Sequence, residues 1–268
     1  MKLLLKIMYD GSLYSGYQYQ PNAATVQGVL TDKISEALGQ RCFVTGCSRT
    51  DAGVHALGFC AAVEPAQKKD GGAYGDIWCT IPTEKLHRVI NPILPNDISV
   101  VGACRVEDSF HPRYDARSKE YVYVISDGVC RDPFKFGRAY MLPSRITDDG
   151  LLIMREAAQQ LVGRHDFSAF MAAGSSVKET VRTLMRLEVE RTGENTVTVT
   201  AAADGFLYNM VRILTGTLLD TARGKIDVGS IKEILDSRDR QRAGFTAPPC
   251  GLYLKSVDYG QNIEFKAE

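Results

Sequence analysis

The sequence predicts an α+β protein built of two related halves, residues 1–106 and 107–268. Two observations carry that prediction. Strands and helices recur in two successive sets of similar order, and the two longest helical patterns, beginning near Thr25 and near Phe206, fall one in each set. A chain of 268 residues can bury a sizeable core and holds one large or two smaller domains, at roughly 100 to 200 residues each.

Leu3 to Tyr9 is a short apolar run stopped by Asp10-Gly11, which reads as a strand feeding a loop. From Thr25 the residues Val26, Val29, Leu30, Ile34, Ala37 and Leu38 share one helical face, and Gly39 stands where a left-handed cap would end the helix. Arg41 to Thr45 and Phe59 to Val63 are predicted strands, and Pro65 to Gly75 a surface loop. A short helix over Thr83 to Val89, a Pro/Asn turn over Asn91 to Asp97 and a strand over Ile98 to Arg105 complete the first half. In the second, Tyr121 to Ile125 is a strand, and Asp148 or Asp149 caps a helix running to Gly163. Leu184 to Arg191 and Thr196 to Ala202 form a hairpin, Phe206 to Ala222 a long helix, Ser230 to Leu235 a short one, and Leu252 to Tyr259 a closing strand.

Composition excludes several classes of function. Lys plus Arg equals Asp plus Glu at 32 each, so no global basic field exists and any nucleic-acid surface must be a local patch. No apolar run approaches the roughly 20 residues of a membrane span, and Asp10 interrupts the N-terminal apolar stretch before a secretory signal could form; a cytoplasmic protein is expected. Seven cysteines without a CxxC pair point to scattered thiols rather than a disulfide framework. Cys47, His55 and Cys60 match no common zinc spacing, so no metal is expected.

The chemistry centres on Gly46-Cys47-Ser48-Arg49-Thr50-Asp51-Ala52-Gly53-Val54-His55-Ala56. Asp51 is the only acidic residue between Glu36 and Glu64. Arg49 lies two positions before it, Thr50 can bond the local backbone, and Gly53 permits a turn. A carboxylate beside a guanidinium is held ionised, which suits a nucleophile or charge stabiliser better than a general acid. An Asx turn with a surface ion pair would look the same. Arg212 sits among the apolar residues of the Phe206 to Ala222 helix and needs a partner, for which Asp51 is the candidate. His55 is read as holding the geometry of the loop, and His165 with Asp166 as a local helix-end network.

These residues resemble the tRNA pseudouridine synthase A family, whose active-site pattern is Gly-x-Gly/Ser-Arg-Thr-Asp-x-Gly-Val-His-Ala. Further segments carry the resemblance in the same order along nearly the whole chain. They are Asp10-Gly11 with Gly16-Tyr17-Gln18, Thr25-Val26-Gln27-Gly28, Phe110-His111-Pro112-Arg113 with Ala116-Arg117 and Tyr121-Val122-Tyr123, Asn209-Met210-Val211-Arg212, and Thr246-Ala247-Pro248-Pro249.

The resemblance implies two ferredoxin-like, RRM-like halves sharing an antiparallel sheet with helices on one face, with the active-site cleft between the halves. It implies a homodimer that isomerises uridine to pseudouridine in the anticodon stem-loop of tRNA, positions 38 to 40, with no cofactor. Catalysis would fall to Asp51 as nucleophile with Arg49 and Arg212, and substrate binding to Tyr121, His55, Arg113 and Arg117. Whether Asp51 attacks C1′, adds to C6 or deprotonates the ribose stays open in the sequence. Basic residues from His111 to Arg138, interleaved with Phe110, Tyr114, Phe134 and Phe136, fit a backbone-binding surface with aromatic platforms.

The chain departs from the family pattern in having Phe59, Cys60, Ala61 and Ala62 where a Gln and a His are usual, and Tyr17 in place of Trp. Two other readings compete with this one. A non-catalytic tRNA-binding protein would not need Arg49, Asp51, Tyr121 and Arg212 together. An aspartic-protease dyad would need a second Asp-Thr/Ser-Gly, and the chain has none.

Overall fold

The computed structural model describes residues 1–66, 78–175, 177–261 and 263–267. The chain folds as two compact units, Met1–Arg117 with Leu254–Glu268, and Ser118–Tyr253. The sequence boundary at 106 and 107 is linear, whereas this division returns the C-terminal segment to the first unit.

In the first unit the order is β1 (Lys2–Tyr9), α1 (Val26–Leu38), β2 (Cys42–Gly46), β3 (His55–Pro65), α2 (Leu86–Ile90) and β4 (Ile98–Val106). β1 lies between β4 and β3, antiparallel to both, and β2 pairs antiparallel with β3. Leu3, Leu4, Leu5, Ile7 and Tyr9 of β1 are all buried, as the unbroken apolar run of a central strand requires. α1 forms where the apolar pattern places it. Thr25 caps it, its side chain accepting from the Gly28 amide, Val26, Leu30 and Ile34 are buried, and Gly39 ends it with φ of 63°. β3 is longer than the apolar stretch suggests, starting at His55. The loop expected over Pro65 to Gly75 lies, from residue 67 on, outside the described residues.

The second unit contains β5 (Ser118–Ser126), β6 (Tyr140–Met141), α3 (Asp148–Gln159), β7 (Gly163–Asp166), β8 (Val181–Gly193), β9 (Thr196–Ala203), α4 (Met210–Ala222) and α5 (Ile231–Ser237). Its strand order is β5-β9-β8-β7, antiparallel throughout, with β6 pairing parallel to β5. β10 (Leu252–Asp258) follows and passes into the first unit.

Three expectations change here. The cap of α3 is Thr147, whose hydroxyl accepts from the Gly150 amide at 3.0 Å, while Asp148 and Asp149 occupy the first turn and complement the helix dipole. His165 and Asp166 belong to β7, paired with Arg182 and Val181, rather than to a helix end. α4 starts at Met210, four residues late, because Asn209 takes a left-handed conformation at φ 59° that a helix interior does not admit.

α4 is the core element of its unit. Eleven of its residues are buried, from Met210 and Val211 through Ile213–Thr221. The hydroxyls of Thr215 and Thr217 are satisfied inside the helix by the carbonyls of Val211 and Ile213, as burial demands. At Gly216 any side chain would collide with the Phe245 carbonyl. Asp127, fully buried at the end of β5, pairs with Arg191 at 2.9 Å and accepts from the Ile146 amide at 3.0 Å.

Burial works to raise the Asp127 carboxyl, but the Arg191 guanidinium and the Ile146 amide outweigh it and hold the group below its ordinary value. The pair therefore stabilises the folded state at neutral pH, and that contribution fades as the pH falls through about 4. Asp127→Ala, which strands Arg191, should cost about 3 to 5 kcal/mol in chemical denaturation at pH 7. The difference from wild type should shrink toward pH 3, and an undiminished difference there would count against the pair.

Candidate active site

The loop that carries Asp51 runs from the end of β2 to the start of β3, and a second loop, residues 10–19, is laid across it main chain to main chain. The Tyr17 amide donates to the Thr50 carbonyl at 3.0 Å, and the Gly53 amide donates to the Tyr14 carbonyl at 3.3 Å. Within the turn the Val54 amide donates to the Asp51 carbonyl at 3.1 Å, and Gly53 takes φ of 75°. Glycine is required where the two loops touch. A Cβ on Gly16, already at φ 92°, would stand 2.8 Å from the Thr50 carbonyl oxygen, and one on Gly11 would overlap the Val54 carbonyl.

Side chains complete the frame. Thr50 is buried, its hydroxyl 2.8 Å from the Tyr9 hydroxyl. His55 is 1% exposed, with Nδ1 at 3.1 Å from both the Gly11 amide and an Asp10 carboxylate oxygen. A bare Nδ1 accepts from Gly11, and a protonated one donates to Asp10. In either state His55 ties the first loop to the base of β3. Asp51 is half-buried and Arg49 is exposed. The carboxylate thus sits on a turn whose neighbours are fixed by backbone bonds.

Behind this loop, Tyr17 stacks on Phe59 with ring centroids 4.4 Å apart and 29° between planes, and Tyr9 adds a tilted contact to Phe59 at 5.6 Å. Phe59, Cys60, Ala61 and Ala62 are all buried. The two departures from the family pattern, Tyr17 and Phe59, therefore pack against each other, and these β3 positions present no polar group to a ligand. All seven cysteines are free, and burial pushes the Cys60 thiol up to about 12, with the nearby Cys47 adding to the rise. Among the described residues no group of three or more His, Cys, Asp or Glu side chains could hold a metal ion. No helix among them is long and apolar enough to cross a membrane.

The other expected site residues fall in two places. In the first unit, the His111 ring accepts the amides of Arg113 and Tyr114 at 3.1 and 3.3 Å, so it shapes the turn that carries Arg113. Arg113 is half-buried, 5.9 Å from the Tyr114 ring. Arg117 is exposed, donates its amide to the Asp258 carbonyl, and lies over Gly260, where a Cβ would strike its side chain. Phe110 is buried against Tyr259 and is not a platform.

In the second unit, Tyr121 is 6% exposed on β5 with its ring edge-on to Phe206 at 5.1 Å. Its neighbour Tyr123 is fully buried, donating to the Pro248 carbonyl at 2.6 Å. Arg212 donates through Nε to the Ala247 carbonyl at 2.7 Å and through a terminal nitrogen to the Asn209 amide oxygen at 2.6 Å. The Ala247 amide returns a bond to the Arg212 carbonyl at 3.1 Å. Thr50 reads in the sequence only as a partner for the local backbone and Asn209 only as part of a motif, and nothing there points to Tyr9, whose hydroxyl the Thr50 side chain meets. The spacing of Asn209 three residues before Arg212 is the available signal for their contact.

Two α+β units, one of them carrying a glycine-framed aspartate, define a class that comparison with known proteins names. A family described as tRNA pseudouridine synthase matches residues 157–260. The tRNA pseudouridine synthase A of Thermoanaerobacter sp. (strain X514) is 43% identical over 259 residues, 96% of this chain and 99% of that protein. The enzymes of the same name from Clostridium kluyveri and Bacillus subtilis (strain 168) are 41% and 40% identical over 95% and 97% of this chain and 98% and 99% of their own. The chain belongs to the tRNA pseudouridine synthase A family, whose members are isomerases. A solved Cbf5-Nop10-Gar1 complex is a distant likeness, with TM-score 0.36, 13% identity and coverage of 94% of this chain and 49% of that one.

If the frame holds the carboxylate in place, Thr50→Val should cost about 0.5 to 1.5 kcal/mol, because it removes one hydrogen bond from the buried Tyr9 hydroxyl. It should also lower turnover more than tRNA affinity. A variant with wild-type stability and turnover would show that this bond does not shape the loop.

Proposed function

We propose that this chain isomerises uridine to pseudouridine in the anticodon arm of tRNA, at positions 38 to 40, as a cytoplasmic homodimer, with Asp51 as the nucleophile. The observation that carries this reading is a half-buried carboxylate on a turn clamped by the 10–19 loop, in a chain aligned over nearly its whole length with enzymes of that name. The reaction breaks the C1′–N1 bond, turns the freed uracil and joins C1′ to C5. The C5 proton leaves and N1 ends protonated, so the product is an isomer and no group is added. Such chemistry needs a nucleophile or charge stabiliser at the ribose or the base, which is Asp51, and a proton acceptor at C5.

The family motifs give roles to Arg212 and Tyr121, and the run of basic residues around Tyr121 gives those of Arg113 and Arg117. Arg212 would partner Asp51, Tyr121 would lie over the base, and Arg113 and Arg117 would meet phosphates. His55 would serve through the loop it holds. Arg49, exposed beside Asp51, would fill the stack vacated by the flipped nucleotide, whose extrusion costs a few kcal/mol. For the architecture we infer two ferredoxin-like halves. The β1-α1-β2-β3-α2-β4 succession of the first unit, with β1 between β3 and β4, supports that reading.

Asp51→Asn should bind tRNA within a few-fold of wild type, keep its stability and release no tritium from tRNA transcribed with 5-tritiated uridine. Retention of more than a hundredth of wild-type release would remove Asp51 from the mechanism, and a wild-type protein that binds tRNA without release would leave a binding protein of the same fold. Mapping pseudouridine in tRNA from a synthase-deficient strain complemented with this protein should show it at positions 38 to 40. Modification only elsewhere would overturn the substrate assignment.

A further inference from the structure

The loop between β5 and β6 holds the largest concentration of exposed apolar surface among the described residues of the second unit. Val129, Phe134 and Phe136 are 91%, 87% and 73% exposed within eight residues. The loop is anchored. The Phe134 amide donates to the Asp132 carboxylate at 3.0 Å, the Phe136 amide donates to the Pro133 carbonyl, and the amides of Arg138 and Ala139 donate to the Lys135 carbonyl. Lys135 Nζ reaches the Thr196 hydroxyl at 2.7 Å, and the Tyr253 hydroxyl donates to the Arg138 carbonyl at 2.6 Å. Two phenylalanines are thus held outward by a built turn, an arrangement that hydrophobic burial alone would not leave in water.

Charge says what covers them. Arg131, Arg138 and Arg145 are exposed along the same stretch of chain, Lys135 lies between the two phenylalanines in sequence and pairs with Asp132, which caps the turn, and a further acid nearby in the fold is Glu194 on the adjoining hairpin. A second copy of the chain would bring the same cations against each other, and like charges juxtaposed across an interface are penalised. Aromatic faces interleaved with guanidinium groups match unpaired nucleic-acid bases flanked by phosphates.

We propose that Phe134 and Phe136 form a stacking platform for unpaired bases of the substrate tRNA, with Arg131 and Arg138 on the adjacent phosphates. This rests on the tRNA reading given above. Lys135, between the two rings in sequence, bonds Thr196, which pairs with Ser126 five residues beyond Tyr121 along β5, about 17 Å at strand spacing, so the platform meets a part of the RNA other than the base that Tyr121 would face. It contributes to binding and not to the chemical step.

The test is the pair of variants Phe134→Ala/Phe136→Ala and Phe134→Leu/Phe136→Leu, both exposed changes that leave the core intact. Each should weaken tRNA binding about ten-fold or more while tritium release in a single turnover at saturating tRNA stays at the wild-type rate. Cys130, the one exposed cysteine of the seven, provides a second readout, since wild-type tRNA should slow its alkylation. Wild-type affinity in the alanine variant overturns the proposal, and so does affinity restored by leucine, which would mark plain apolar packing. A variant that falls from dimer to monomer in light scattering overturns it too, and assigns the patch to a second copy. If the wild-type protein binds no tRNA, the functional reading fails, and this proposal with it.

Discussion

Two stretches of backbone pass so close that only glycine fits between them, and the position of Asp51 depends on that approach. The Tyr17–Thr50 and Tyr14–Gly53 amide bonds hold the 10–19 loop on the Asp51 turn. Gly11 and Gly16 stand where any side chain would meet the carbonyls of Val54 or Thr50. Main-chain bonds of this kind fix the backbone that carries a side chain, and so its position, without contacting it. The buried residues behind the turn, Tyr9, Thr50 and His55, supply polar groups whose satisfaction depends on the same geometry. The Tyr17–Phe59 stack closes the apolar side.

The second unit solves a similar problem with a different device. α4 is buried almost all round, so its threonines bond within the helix, and Gly216 admits the Phe245 backbone. Arg212 stands out at its first turn, oriented by the Asn209 side chain and the Ala247 carbonyl. This arrangement requires a left-handed backbone at Asn209, which asparagine tolerates better than most residues.

Much of this is legible in the residues. The apolar run of β1, the Thr25 and Gly39 caps of α1 and the β8–β9 hairpin follow from local pattern, and the Asp51 motif identifies the turn. The rest is tertiary. The late start of α4 comes from one residue at positive φ, and β7 is hidden because its pairing partner lies fifteen or more residues away. The C-terminal strand passes back into the first unit, which no linear boundary can express. Phe59 to Ala62 read in sequence as lost polar groups beside the site, and in the fold they are core. Phe110 likewise leaves the expected aromatic surface for the interior, while Tyr114, Phe134 and Phe136 stay outside.

The central claim is that the loop frame positions the Asp51 carboxylate, and that its charge elsewhere would not serve. Asp51→Glu keeps the charge and moves the carboxylate outward by one methylene, roughly 1.5 Å, a displacement that costs about a hundred-fold where geometry governs the rate. Single-turnover tritium release measured beside the denaturation midpoint decides it. The account predicts an unchanged midpoint, tRNA affinity within a few-fold of wild type, and a rate reduced at least a hundred-fold; a rate within ten-fold of wild type would contradict it.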